Sequence, residues 1–266
     1  MNKQFCVLGN PIAHSLSPKI HQLFAKECGL TLSYTKILVQ NNFVQILKDL
    51  KNQGLTGANV TIPLKEQAFL LSDEKSHFAL QAQSANTLFF KDNKILAFNT
   101  DGLGFLLDLK KRLHLEIKNK NVLILGAGGA SRALIAPILS ENPKTLFLSN
   151  RNIQKAHHLA GMFPISVLPW ENLEQTSTAF DLVINATSSS LLKQNIPIPP
   201  FASNAYFYDL FYSSNGNTFF LESAKEKGAQ NISDGLGMLV FQAALSFEIW
   251  HGILPNALNV YAILKK

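Results

Sequence analysis

The chain has 266 residues, of which 47% are hydrophobic, and its 24 basic and 18 acidic residues give a formal net charge of +6. This length and apolar content suffice for the cores of two modest domains. The basic residues are scattered and do not alternate with aromatic residues, which argues against a nucleic-acid-binding protein. Cys6 and Cys28 are too few and too irregular for a disulfide framework or a metal site, so we expect no bound metal.

The amino-terminal sequence MNKQF lacks the apolar stretch of a signal peptide. No window of about 18 residues is free of charge and polarity, so the sequence predicts no membrane-spanning helix. We therefore expect a cytoplasmic protein. The mildly positive charge favours small anionic molecules as binding partners. We expect a small-molecule substrate, neither a membrane nor a nucleic-acid partner, and a monomer or homodimer.

The first hundred residues alternate between strand and helix patterns. Gly29 and Gly54 follow two of the helical patterns, as glycine commonly does at a helix end. Two short apolar runs, 88–90 and 95–98, flank a polar turn and predict a β-hairpin, so the sheet is expected to be mixed. The predicted strands before this hairpin are 5–8, 34–39 and 58–62, and the predicted helices are 18–28, 43–51 and 64–70.

After a predicted helix from 102 to about 113, the sequence NVLILGAGGAS (121–131) indicates a buried strand, a glycine turn and a helix over 129–139. Gly126 permits the tight turn, and Gly128 lets backbone N–H groups approach a pyrophosphate at the positive end of the helix dipole. Ser131 stands at the third glycine position, so the dinucleotide-binding fingerprint is incomplete. The alternative interpretation is an ordinary strand–turn–helix unit.

The next strand, 145–148, indicates which cofactor this unit prefers. It is followed by Ser149, Asn150 and Arg151, without the carboxylate that binds the ribose 2′-hydroxyl of NAD. Arg151 offers a charged donor fork for a 2′-phosphate, and Lys155 adds a positive charge one turn later. The sequence therefore predicts NADP. The alternative is that Arg151 simply begins a solvated helix.

Two helices, 236–251 and 257–264, are predicted beyond the nucleotide unit and can pack back onto the first domain. The predicted fold is therefore a two-domain α/β protein. A discontinuous substrate domain, 1–101 plus 236–266, has a mixed sheet, and residues 102–235 form a Rossmann-like NADP-binding domain.

Polar residues cluster at strand-to-helix junctions of the first domain, where open α/β sheets bind ligands. Ser15 and Ser17 precede a predicted helix, and their hydroxyls together with its dipole suit a carboxylate. Ser17, followed by Pro18, can alternatively be a helix cap, whereas Ser15 has no such structural duty.

The second junction contains Asn59 and Thr61, which alternation places on one face of a strand. The same alternation directs Val60 and Ile62 toward the core, and Pro63 is expected to begin a helix.

Lys65 stands in the first turn of this helix, where the dipole disfavours a cation, which points to a functional use. Asn86 enters the hairpin and Asp101 leaves it. A carboxylate and an amine that converge on a hydroxyl form a proton-transfer pair. The alternatives are a solvated surface lysine and a helix-capping aspartate.

Seven motifs carry a resemblance that spans nearly the whole chain, in order: GNPIAHSLSP, NVTIPLK, NTDG, GAGGAS, NR, NATS and DGLGMLVFQAA. The chain resembles the shikimate dehydrogenases. The resemblance implies an NADP-dependent oxidoreductase that reversibly reduces 3-dehydroshikimate to shikimate in aromatic amino-acid (chorismate) biosynthesis. It implies that Lys65 and Asp101 are the catalytic pair. The substrate-binding residues are then Ser15, Ser17, Asn59, Thr61, Asn86, Tyr212 and Gln242. The NADP-binding residues are then Gly126, Ala127, Gly128, Gly129, Ala130, Asn150, Arg151, Asn152, Lys155, Thr187, Leu210, Gly235 and Met238.

Two other functions are compatible with the same sequence pattern. In a quinate/shikimate dehydrogenase of broader specificity, we would expect an acidic residue at the position of Arg151 or a reshaped loop from Ser15 to Ser17. Neither is seen. A non-catalytic nucleotide-dependent sensor on this scaffold would be favoured by the loss of Lys65 or Asp101, and both are present.

Overall fold

The computed structural model describes residues 3–266. The chain divides into two compact units, Met1–Leu107 with Leu239–Lys266, and Asp108–Met238. It passes from one unit to the other within helix α5 (Asp101–Lys111) and within helix α10 (Leu236–His251). The domain boundaries expected from the sequence coincide with the first turns of these two helices, and as boundaries between folding domains they stay a prediction.

The first unit contains a six-stranded mixed sheet in the order β2-β1-β3-β5-β6-β4. Strands β1, β2 and β3 are parallel to one another, whereas β3 pairs with β5, and β5 with β6, in antiparallel fashion. This confirms the expected mixed sheet. Its strands are β1 (Lys3–Gly9), β2 (Leu32–Leu38), β3 (Gly57–Val60), β4 (Glu74–Lys75), β5 (Thr87–Lys91) and β6 (Lys94–Phe98). Its other helices are α1 (Ser17–Glu27), α2 (Phe43–Asn52), α3 (Lys65–Leu71), α4 (His77–Ala82) and α11 (Ala257–Lys265).

The hairpin β5–β6 is confirmed, and its turn is made by Asp92 and Asn93 with φ of 49° and 59°. Two successive residues of positive φ are characteristic of the hairpin turn that matches the natural strand twist, and Asp and Asn tolerate this conformation well. The turn brings the two ends of the hairpin together, so that the polar residues before β5 and after β6 become neighbours.

The first sheet is covered on both faces. Along β1, Cys6 and Leu8 join the cluster beneath α2 and α3, whereas Phe5 and Val7 pack with Trp250 of α10. Because successive side chains of a strand point to opposite faces, a strand with five consecutive buried residues, as in β1, must have an apolar layer on each side. The carboxy-terminal helix α10 therefore completes the core of the amino-terminal unit.

Two expectations at the junction after β3 are wrong. Ile62 was expected to face the core, but it is 65% exposed, and the helix begins at Lys65 instead of at Pro63. The reason is that β3 ends at Val60, so the alternation of a strand no longer applies to Ile62. The Leu64 N–H donates to the Thr61 carbonyl at 2.9 Å, which makes a turn before the helix starts.

The second unit is a six-stranded parallel sheet in the order β12-β11-β10-β7-β8-β9. The strand order reverses on either side of β7, and such a reversal creates a crevice at the carboxyl end of the central strand. The strands are β7 (Asn121–Leu125), β8 (Thr145–Ser149), β9 (Ser166–Val167), β10 (Phe180–Asn185), β11 (Phe201–Asp209) and β12 (Asn231–Ser233). The helices are α6 (Gly129–Ser140), α7 (Ile153–Ala160), α8 (Ser189–Leu192) and α9 (Phe219–Glu226). The predicted Rossmann-like sheet is thus confirmed.

Candidate active site

Lys65 and Asp101 form an ion pair in the first unit, with 2.6 Å between Nζ and Oδ2. Each is the first residue of a helix, Lys65 of α3 and Asp101 of α5. Their side chains are 23% and 8% exposed, so the pair is largely shielded from water while the ammonium retains an opening to solvent. Lys65 is therefore not a freely solvated surface lysine.

Asn86 fixes the other oxygen of this carboxylate. Its Nδ2 lies 2.8 Å from Asp101 Oδ1 and 3.1 Å from Gln242 Oε1, and its Oδ1 accepts a hydrogen bond from the Thr100 N–H at 2.9 Å. Asn86 is only 2% exposed. Because Asn86 holds Oδ1 and Lys65 holds Oδ2, the carboxylate has a single orientation. The two polar ends of the hairpin thus converge, as the sequence predicted.

A buried layer of hydrogen bonds involves Asn59. Its Oδ1 accepts from the Tyr34 hydroxyl at 2.6 Å and lies 3.1 Å from His21 Nε2. Its Nδ2 lies 3.0 Å from Ser246 Oγ, which in turn lies 2.7 Å from Thr87 Oγ1. Both polar atoms of the Asn59 side chain therefore hydrogen-bond with other residues of the protein. Thr87 adjoins Asn86 in the polar cluster that enters the hairpin, whereas no sequence motif singles out Tyr34 or Ser246.

One signal for Ser246 was present in the sequence. Ser246 follows Gln242 by four residues on α10, so the two side chains share a helix face. Its hydroxyl also donates to the Gln242 carbonyl at 3.0 Å.

The serine pair before α1 is arranged differently from the expectation. Ser17 is the first helical residue, the N-cap position belongs to Leu16, and no side chain caps this helix. The interpretation of Ser17 as the helix cap is therefore wrong, because the helix already includes it. Ser15 does have a local structural contact: its Oγ accepts from the Ser17 N–H at 3.3 Å and donates to the Ser17 hydroxyl oxygen at 3.2 Å. Thr61 is half-buried just beyond β3.

The glycine turn of the second unit has the features that a pyrophosphate site requires. Gly126 has a φ of +104°, which favours glycine, and its N–H donates to the Ser149 carbonyl at 2.7 Å. A β-carbon at Gly128 or Gly129 would meet no atom within 4 Å, so the space above the amino end of α6 is open. The first N–H groups of a helix lack intrahelical partners and suit an anion. Ser131 is fully buried, as the small third residue of the fingerprint must be.

The residues after β8 are organised around this turn. Asn150 Oδ1 accepts from the Ala127 N–H at 3.1 Å, and Asn150 Nδ2 donates to the Asn152 carbonyl at 2.8 Å. The Asn152 side chain caps α7. Arg151 and Lys155 are exposed, so both positive charges are accessible to a phosphate.

Thr187, Leu210 and Gly235 lie at the carboxyl ends of neighbouring strands of the second sheet. A β-carbon on Gly126 would come within 3.0 Å of Thr187 Cγ2, and one on Gly235 would lie 2.2 Å from the Leu210 carbonyl oxygen. Gly235 is therefore required by close approach, whereas Gly126 is favoured by its φ of +104° together with this tight contact.

Met238, in the first turn of α10, donates its N–H to the Tyr208 hydroxyl at 3.2 Å. Tyr212 is half-buried in the second unit, where burial raises the pKa of its phenol. It is the one predicted substrate-binding residue that does not belong to the first unit.

Across residues 3–266, no group of three His, Cys, Asp or Glu side chains is placed to hold a metal ion. Over the same range, no helix has both the length and the apolar character needed to cross a bilayer.

Family profiles match three segments of the chain. Residues 7–88 match the shikimate dehydrogenase substrate binding domain, and residues 108–195 match shikimate / quinate 5-dehydrogenase. Residues 235–265 match the shikimate 5'-dehydrogenase C-terminal domain. The two outer matches fall on the parts of the chain that form the first unit, apart from residues 235–238.

Full-length relatives give the same result. The NADP(+) shikimate dehydrogenase of Dechloromonas aromatica (strain RCB) is 42% identical over 270 residues, covering 100% of this chain and 98% of the relative. That of Legionella pneumophila (strain Corby) is 42% identical over 269 residues, covering 100% and 99%. The shikimate 5-dehydrogenase of Thermus thermophilus, solved in complex with NADP(H) and shikimate, superposes with a TM-score of 0.87 at 33% identity, covering 99% and 98% of the two chains.

Proposed function

The chain belongs to the shikimate dehydrogenase family, and we propose that it catalyses the reversible NADP-dependent reduction of 3-dehydroshikimate to shikimate in aromatic amino-acid biosynthesis. The observation that carries this proposal is the ion pair of Lys65 and Asp101, whose 2.6 Å contact puts an amine and a carboxylate side by side in a partly shielded site. A sensor that only bound nucleotide would have no use for this pair.

The proposed reaction requires a proton to leave the substrate hydroxyl during oxidation and to return to the same oxygen during reduction. When bound, NADP would supply the hydride acceptor for the oxidation of shikimate, and NADPH would supply the hydride for the reverse reduction. As the alcohol carbon loses hydride, the hydroxyl proton passes to the neutral Lys65 amine, and in the reverse direction the Lys65 ammonium donates that proton to the carbonyl oxygen. Asp101 holds the amine in place and accepts a hydrogen bond from the same hydroxyl.

We propose that the remaining polar groups of the first unit orient the substrate ring. The hydroxyls of Ser15 and Ser17 at the start of α1 would bind the substrate carboxylate, because helix dipole and donors act on the same charge. Thr61 and Gln242 would bind ring hydroxyls. The extensive buried hydrogen bonds of Asn59 and Asn86 support a role for these two in shaping the pocket as well as in contacting the substrate. Tyr212 of the second unit is proposed as a further substrate contact.

We propose that the second unit holds NADP at the glycine turn. The open space beside Gly128 and Gly129 supports a pyrophosphate there, and the exposed Arg151 and Lys155 support a 2′-phosphate. The proposed contacts are Gly126, Ala127, Gly128, Gly129, Ala130, Asn150, Arg151, Asn152, Lys155, Thr187, Leu210, Gly235 and Met238. We further propose activity in the cytoplasm as a monomer or homodimer.

The test is NADPH absorbance with the purified protein, using shikimate or quinate as the alcohol and NADP or NAD as the acceptor. We expect kcat/KM to be higher for shikimate with NADP than for any other pair of alcohol and cofactor. Equal or greater activity with quinate would replace the proposal by a dehydrogenase of broader specificity. Nucleotide binding without turnover of either alcohol would favour the sensor.

A further inference from the structure

Asp209 is a fully buried carboxylate at the end of β11 that receives four hydrogen bonds. Thr218 Oγ1 lies 2.6 Å from Oδ2, and the Ser190 hydroxyl contacts the same oxygen. Asn185 Nδ2 and the Phe211 N–H each lie 3.0 Å from Oδ1. Asp209 has no exposed surface, so its charge depends on these donors in place of water.

The hydroxyl groups of Ser190 and Thr218 donate to Asp209, and their oxygens accept hydrogen bonds from other groups. The Phe220 N–H donates to Ser190 Oγ at 3.2 Å, and the Leu221 N–H donates to Thr218 Oγ1 at 3.4 Å. Both N–H groups belong to the first turn of α9. The hydroxyl protons therefore point at Asp209, and every partner of this carboxylate is a donor. Burial raises the pKa of Asp209, and the four hydrogen bonds oppose that rise.

Asp209 in turn determines which way the amide of Asn185 faces. Asn185 Nδ2 donates to Asp209 and lies 3.2 Å from Ser189 Oγ, and Asn185 is fully buried. Because an ionised carboxylate only accepts hydrogen bonds, the Nδ2 of Asn185 must be on the side of Asp209. The Oδ1 then faces Thr187, where it accepts from the N–H at 3.1 Å and from the hydroxyl at 2.7 Å.

The same pair fixes the chain after β11. The Leu210 N–H donates to the Asn185 carbonyl at 2.9 Å, and the Phe211 N–H is held by Asp209. Thr187 and Leu210, which follow neighbouring strands β10 and β11, are thus tied to one buried pair.

We propose that Asp209 and Asn185 are positioning residues of the cofactor site, which hold Thr187 and Leu210 in the conformation that binds NADP. This assignment rests on the proposed function, which gives Thr187 and Leu210 to the cofactor. Replacing Asp209 by Asn puts an NH₂ group among four donors and allows the amide of Asn185 to turn over. The Thr187 N–H then loses its acceptor, and the Thr187 hydroxyl keeps only Ser189 Oγ, at 2.8 Å, as an acceptor.

The experiment compares full-length parent, Asp209→Asn, Thr187→Ala and the double variant by NADP titration and by steady-state kinetics. We expect Asp209→Asn to raise the Kd for NADP by about tenfold or more while the KM for shikimate stays within about twofold. In the double variant, we expect the fold increase in the Kd for NADP to be smaller than the product of the increases in the two single variants. The reason is that Asp209 acts partly through Thr187. Asp181→Asn is the matched control: Asp181 lies at the opposite end of β10, where it accepts from the Asn121 N–H at 2.8 Å, and its replacement should leave the Kd for NADP within about twofold.

The outcomes separate the two proposals. A parent that does not bind NADP overturns the proposed function and this assignment with it. If the parent and a folded Asp209→Asn variant bind NADP equally well, only the positioning role is overturned. The same holds if the Kd increase of the double variant equals the product of the two single increases. If Asp209→Asn does not fold, Thr218→Val and Thr218→Ser take its place, since only the first removes a donor to Asp209. The positioning role then requires weaker NADP binding in Thr218→Val alone.

Discussion

The Nζ of Lys65 lies 2.6 Å from Oδ2 of Asp101, although the two residues are separated by 36 positions in the chain. The contact exists because α3 and α5 both begin at the carboxyl ends of strands in one sheet, and their first residues therefore meet at that edge. Asn86 donates to the second oxygen of Asp101 at 2.8 Å, so both oxygens of the carboxylate are held by protein groups.

Replacement of Lys65 by Ala is expected to lower turnover by on the order of 10² to 10⁴, because it removes a positioned proton donor and acceptor. Folding and shikimate binding should be largely retained. The measurement is kcat at saturating shikimate and NADP. Lys94→Ala is the matched control, since Lys94 forms a 2.7 Å pair with Glu74 at an exposed position of the same unit and should not affect turnover. Near-parental kcat in Lys65→Ala would refute the assignment.

Ser15→Ala and Thr61→Ala are each expected to weaken apparent shikimate binding by about 0.5 to 3 kcal/mol, read as an increase in KM, because each removes a hydrogen bond to the substrate. The KM for NADP should not change. Ser33→Ala, at an exposed position of β2, serves as the control. Because Ser15 also accepts a hydrogen bond from the Ser17 N–H, thermal unfolding must be measured alongside. An equal rise in both KM values would indicate a structural role.

The sequence predicted the parts of the fold and site that depend on local pattern. The hairpin turn at Asp92 and Asn93, the glycine turn at Gly126 and the mixed sheet all follow from residue types at short spacing. The convergence of Lys65 on Asp101 was also predictable, because strand-to-helix junctions of one sheet share an edge.

What the sequence did not predict depends on contacts between distant segments. Ser246 hydrogen-bonds with Asn59 across 187 positions, and its one local signal, the helix face that it shares with Gln242, does not indicate Asn59 as its partner. Ile62 has the residue type of a core position, but a strand that ends two residues earlier leaves it exposed. Likewise, only the observed start of α1 reveals that Ser17 lies within the helix and cannot cap it.

Acidification should destabilise the first unit through His21. Burial lowers the pKa of His21 from 6.5 to about 3, with repulsion from His251 adding to it and the hydrogen bond with Asn59 opposing it. The folded state therefore favours the neutral ring, so the stabilisation is present above pH 6.5 and is lost as the pH falls from 6.5 toward 3. The expected loss is about 1.4 kcal/mol per pH unit in this window.

The measurement is the free energy of unfolding in urea between about pH 8 and pH 4 for the parent, His21→Gln and His157→Gln. His21→Gln is expected to be less stable than the parent at the alkaline end and to lose less stability on acidification, so the two curves converge. His157, which is exposed on α7, is the control and should leave the slope of the parent unchanged. Parallel curves for the parent and His21→Gln would show that His21 does not titrate on unfolding.

Cofactor preference is expected to depend on Arg151, which is exposed directly after β8 where an acidic residue would favour NAD. A charge-assisted contact with the 2′-phosphate contributes about 1.5 to 3 kcal/mol. Arg151→Ser should therefore raise the KM for NADP by about tenfold or more and leave NAD kinetics nearly unchanged. Lys155, a point charge one turn later, should retain part of the preference because its ammonium cannot form a paired contact. The measurement is the ratio of kcat/KM for NADP and NAD in the parent, Arg151→Ser and the control Lys118→Ser, an exposed position of the same unit. A parent that prefers NAD, or a ratio that Arg151→Ser leaves unchanged, would remove Arg151 from the cofactor site and favour the dehydrogenase of broader specificity.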